Sequence, residues 1–268
     1  MTLPAPARHD DGIPFDVEPP SLVVVNAGVS DPSSTRLLAD RITQKSLDLL
    51  REGGTPASAS VVELGALAVD IARAAVSGLP GDELEKTIER VAAADALIAA
   101  TPVYKAGISG LFKSFVDVLD DDLLVARPVL LAATAGSSRH ALVIDEQMRP
   151  LFAYLRALAL PTSVFAAPED WAATELGDRI ERAASELAVM LDAGVGHRIA
   201  DRAWGGYQHQ FAGNATRAAH TAADVEFDSP LMRLAAGGTT LPAPSTERLD
   251  GGAQGDPRPV GGPAARDG

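Results

Sequence analysis

ALIAATPVYKAGISGLFKSFVDVLD, residues 96–120, sets a strand, a loop and a helix in immediate succession. Its opening residues are small and apolar with no polar alternation, the pattern of a strand covered on both faces. TPVYKAGISG, 101–110, then brings a Pro, a Tyr, a Lys and two Gly within ten positions, and LFKSFVDVLD resumes a helical rhythm. A strand of this kind implies a parallel sheet with helices on each side.

The rest of the chain repeats the unit. SLVVVNAG (21–28), a run around 58–66, RPVLLAATA (127–135) and PTSVFAA (161–167) read as further strands. A helix is expected from Ser33–Ser34, where Ser and Thr are good N-caps and Leu37, Leu38, Ile42 and Leu49 recur at near-helical spacing. Others are expected over GDELEKTIERVAAA (81–94), 109–119, 142–158 and 175–194. Five β–α units in about 175 residues predict an α/β fold, a doubly wound five-stranded parallel sheet of flavodoxin-like order 2-1-3-4-5 with helices on both faces. The organisation expected is a flexible N-terminal arm (1–20), one flavodoxin-like domain (21–195), a partly helical extension (196–240) and a disordered tail (241–268). In that tail 11 of 28 residues are Gly or Pro.

Composition excludes several classes. A net charge of −13 argues against a surface for nucleic acid or anionic lipid. The absence of cysteine removes disulfides, thiolate catalysis and Cys-held metal clusters. The N-terminus has no apolar run after basic residues, and no stretch approaches the roughly 18 apolar residues of a span, so a cytoplasmic location is expected. His9, His140, His197, His209 and His220 lack metal-ligand spacing, and no hydrolase elbow, P-loop or dinucleotide fingerprint is present.

In an open parallel sheet the ligand crevice lies at the carboxyl ends of the strands where the order reverses, here between strands 1 and 3. Three loops meet that description. NAGVSDPSSTRL (26–37) offers Ser30, Ser33, Ser34, Thr35 and Arg36 at a helix N-terminus, an arrangement suited to a monophosphate; the same serines also serve as plain caps. In the opening loop Pro102 stiffens the strand exit and Tyr104 can stack on a flat ligand. Lys105 can attract an anion or stabilise charge on a reduced ring, and Gly107 and Gly110 allow close approach; a helix-initiating turn with a surface Lys is the alternative. ATAGSSRHAL (133–142) adds Thr134, Gly136, Ser137 and Ser138, with His140 at a position that fits either acid/base work or capping.

SDPSSTR, TPVYKAGISGLFKSFVDVLD and ATAGSSRHALVIDEQMRPLFAYLRAL together resemble the NADPH-dependent FMN reductase family over roughly residues 21–195. Within it the chain is similar to the reductases that partner luciferase-like monooxygenases. The resemblance implies FMN with NADPH or NADH, hydride transfer carried by the flavin with no catalytic side chain and no metal, and a homodimer or homotetramer. It implies that Ser30, Ser33, Ser34, Thr35 and Arg36 hold the phosphate, that Pro102, Val103, Tyr104 and Lys105 border the ring, and that Thr134, Gly136, Ser137 and Ser138 flank it. Sulfonate-type relatives often carry Tyr before the S-G of the loop, in a widened helix turn, where this chain has Ile108. FDSPLMRLAAGG (227–238) reads as a docking element. Two other readings fit the same loops: a quinone or azo reductase with tightly held FMN, and an FMN-binding module without turnover.

Overall fold

The computed structural model describes residues 19–204. Six strands run parallel in five positions: β1 (Ser21–Asn26), β2 (Ser58–Glu63), β3 (Ala96–Tyr104), β5 (Pro128–Thr134) and an edge made of β6 (Leu158–Ala159) and β7 (Val164–Ala166). A two-residue strand, β4 (Gly107–Ile108), turns back antiparallel on β3. The order is β2-β1-β3-β5, with β6 and β7 sharing the far side of β5.

The strands are apolar at successive positions because alternate side chains serve two cores. Leu22, Val24, Ile98 and Leu130 pack under α1 (Ser34–Glu52) and α6 (Thr174–Asp192). Val23, Val25, Leu97, Val129 and Leu131 face the opposite layer, built from α2 (Ala68–Ser77), α3 (Asp82–Ala93), α4 (Gly110–Asp117) and α5 (Arg149–Tyr154). Ala96, Ala99, Ala100, Ala132 and Ala133 are all buried in the two central strands.

The expected doubly wound sheet and its order are present, but among the described residues the sheet has seven strands rather than five. One extra strand is the β4 hairpin. The other arises because the fifth position is broken: Ala159 pairs with Val129 and Val164 with Ala132, so residues 160–163 stand opposite only Leu130 and Leu131. Pro161 lies in this bulge, where a residue without an N–H is tolerated. Arg149 donates to the carbonyls of Leu160 (2.8 Å) and Pro161 (3.4 Å) there.

One helical expectation also changes. The segment 142–158 is not one helix: a π-helical turn at Ile144–Met148 leads into α5, which stops before Arg156 takes a left-handed φ of 56°. Ile108 stands in β4, ahead of α4, so its position is not part of a widened helix turn. After α6, α7 (Val195–Ile199) and a π turn (Ala200–Trp204) pack back on the body. A Cβ at Gly196 would lie 2.7 Å from the Ala126 carbonyl, His197 Nε2 is 2.5 Å from Asp95, and Arg156 pairs with Asp122 while lying over the Trp204 ring. Most of the expected arm, the FDSPLMRLAAGG element and the tail lie outside the described residues.

Candidate flavin site at the strand switch point

The crevice follows from unequal strand lengths. Pairing of β1 with β3 ends at Asn26–Ala100, whereas β3 runs on beside β5 to Pro102 and beside β4 to Tyr104. Four further residues at about 3.3 Å each raise the β3 end roughly 13 Å beyond the β1 end. The β1 loop therefore lies at the foot of a hairpin wall.

At the foot, Ser33 caps α1 by accepting from the Arg36 N–H at 3.2 Å. The remaining N–H groups of that first turn have no intrahelical acceptor. The loop is wound too tightly for any residue but glycine at 28: a Cβ there would sit 2.2 Å from Ser33 Oγ and 3.0 Å from Thr35 Cβ. Gly28 N–H donates to Asn26 Oδ1 at 3.1 Å, and Asn26 Nδ2 to Glu63 at 2.6 Å. Glu63 in turn pairs with Arg36, whose Nε lies 2.7 Å from Asp40. The hydrogen bond to Asp40 is the main reason the Arg36 guanidinium is held above its ordinary pKa. Arg36 is thus a fixed cation between two carboxylates. A compact loop at a helix N-terminus with one anchored cation fits a monophosphate.

Thr134 gathers the three loops. Its hydroxyl and that of Thr35 are buried and 2.6 Å apart, and its Cα is the cross-strand partner of Pro102. Thr35 and Thr134 therefore spend their side chains on each other, while Ser30 and Ser34 are exposed. Tyr104 is half exposed, and Lys105 and Ala106 form the hairpin tip with left-handed φ of 51° and 65°. That pair of positive φ values makes a two-residue hairpin turn of the type matched to strand twist. The left-handed freedom of the turn is supplied by Lys105 and Ala106; Gly107 and Gly110 have no positive φ. Below the tip, Thr101 Oγ1 accepts from the Ser109 N–H (3.1 Å), and Ser109 caps α4. On the third loop Gly136 and Ser138 are exposed, Ser137 accepts from Arg139 N–H, and Ser138 bonds to Glu169. The bonds at its own and the Ser138 N–H and hydroxyl hold the Glu169 carboxyl below its usual pKa.

Asn26, Asp40, Glu63, Thr101, Gln147 and Glu169 were not singled out from the sequence. Asn26 carried the one available signal, a lone amide closing an apolar strand.

A family model for NADPH-dependent FMN reductases matches residues 20–172. The NADH-dependent FMN reductase SfnE of Pseudomonas putida is 41% identical over 182 residues, covering 65% of this chain and 92% of the relative. An FMN reductase (NADPH) of Pseudomonas aeruginosa is 35% identical over 153 residues, 57% of this chain and 80% of that one. Among solved structures, an oxidoreductase from Corynebacterium diphtheriae superposes with a TM-score of 0.63 at 44% identity, covering 65% of this chain and 97% of that chain. Match and topology agree, and the chain belongs to the NADPH-dependent FMN reductase family.

Proposed function

We propose that this NAD(P)H-dependent FMN reductase binds FMN at the crevice beside β3, reduces it as an exchanging substrate and releases it to a flavin-using monooxygenase. The observation that carries the site is the convergence of three loops on Thr134.

In this reading the α1 N-terminus, with Ser30, Ser33, Ser34 and the anchored Arg36, holds the phosphate. Thr35 and Thr134 act from behind, locking the phosphate loop to the end of β5. Pro102, Val103, Tyr104 and Lys105 border the ring on one side, and Gly136, Ser137 and Ser138 on the other. FMN, when bound, supplies the hydride chemistry, so the protein needs no acid or base of its own. The half-exposed Tyr104 lies on the wall at which the nicotinamide is aligned and water excluded. Lys105 has no ion-pair partner among the described residues and serves as the cation at the rim.

A homodimer or homotetramer in the cytoplasm belongs to the same reading. Leu142 and Tyr154, 62% and 65% exposed on the segment after β5, supply apolar surface for it. Steady-state oxidation of NADH and NADPH with FMN, FAD and riboflavin tests the function. Saturable use of free FMN, with FMN well ahead of riboflavin, is expected. Purified protein that retains FMN and turns over quinones in ping-pong fashion overturns the exchanging-substrate reading.

A further inference from the structure

The hairpin tip poses a mechanical problem. Ala106 sits at φ 65° and Lys105 at φ 51°, conformations that L-residues with a Cβ avoid. Gly or Asn ordinarily occupies such positions. A two-residue strand offers little pairing to hold the turn, since β4 meets β3 only at Val103–Ile108 and Tyr104–Gly107. Something else must over-determine it.

The answer lies 39 residues away in sequence. Gln147 accepts from the Ile108 N–H through Oε1 at 3.0 Å and donates through Nε2 to the Ala106 carbonyl at 3.4 Å. Its amide spans the turn much as a backbone peptide of a neighbouring strand would, so the short hairpin gains a third partner. Gly107 lies close beneath it: an added Cβ there would sit 3.2 Å from Gln147 Oε1. Gln147 is carried by the π-helical turn Ile144–Met148, whose neighbours Ile144 and Met148 are buried in the core. Widened turns of this kind re-aim side chains and occur often at functional sites.

We propose that Gln147 is a positioning residue: it clamps the Lys105–Ala106 turn and so sets where Tyr104 and Lys105 stand at the ring. This rests on the reading of the hairpin as the wall of the FMN site.

The test has a flavin-free arm and a kinetic arm. In Gln147→Ala, amide exchange at Ile108 without flavin should speed up about tenfold, the loss of one partly exposed hydrogen bond. The FMN KM should rise about tenfold while kcat at saturating FMN stays within about twofold, because the turn can still be reached at the expense of binding. Adding Ala106→Gly should return KM to within about threefold of wild type, since glycine adopts the turn without strain. A merely structural role would not be rescued there. In Gln147→Glu, which keeps the acceptor, Ile108 exchange should stay near wild type. Unchanged Ile108 exchange in Gln147→Ala, or faster exchange with unchanged KM, overturns the proposal alone. A wild-type protein that turns over no FMN overturns the site reading instead, and the proposal with it.

Discussion

Thr134 and Thr35 form a buried hydroxyl pair. Removing one hydroxyl strands the other, which costs about 1–3 kcal/mol, whereas removing both is far milder. Thr134→Val should therefore lower stability in urea unfolding by about that amount, and Thr35→Val/Thr134→Val should recover most of it. Arg36 presents a different balance. Its charge sits between Asp40 and Glu63, so Arg36→Ala leaves two carboxylates facing the phosphate loop. The FMN KM should rise about tenfold, the worth of one charge-assisted contact, with little change for riboflavin, as steady-state kinetics with both flavins will show. At this scale the sequence exposed the donors but not their employment. Thr35 and Arg36 were legible as polar groups at a helix start, yet Thr134 and Glu63, the partners that tie them to other strands, lie 99 and 27 residues away. Gln147 was silent for the same reason: a glutamine inside a helical run carries no sign of the hairpin it reaches.

Elements were easier to read than their ends. β3 occupies the span its apolar run indicated, because a strand covered on both faces has nothing polar to blur it. α2 was missed beyond the second strand, where small residues follow a turn without a cap signal. The break between β6 and β7 is not legible in the sequence, because a Pro suits the start of a strand as well as its interruption. α7 yields a pH prediction. Burial pushes the Asp95 carboxyl up, but bonds from Ser21 N–H at 2.6 Å, His197 and the Ser21 hydroxyl leave it below its usual value. A depressed folded-state pKa gives stability that is present above the unfolded value of about 4 and lost as pH falls through the folded one. Thermal melts from pH 6 down to 3 should show Tm falling at the acid end, and Asp95→Asn should flatten that fall.

Taken whole, the molecule carries a formal charge of −13 and handles anionic cofactors. Repulsion at long range should slow their approach, so kcat/KM for FMN should rise as ionic strength goes from about 0.01 to 0.15 M and the screening length contracts. A fall would mean that a local positive field outweighs the total. The broken edge of the sheet has a consequence of another kind. An uninterrupted terminal strand offers a ladder of unpaired donors and acceptors on which a second chain can template itself. Here the ladder is cut by Pro161, and two of its carbonyls are taken by the Arg149 guanidinium. The bulge therefore guards against edge-to-edge aggregation.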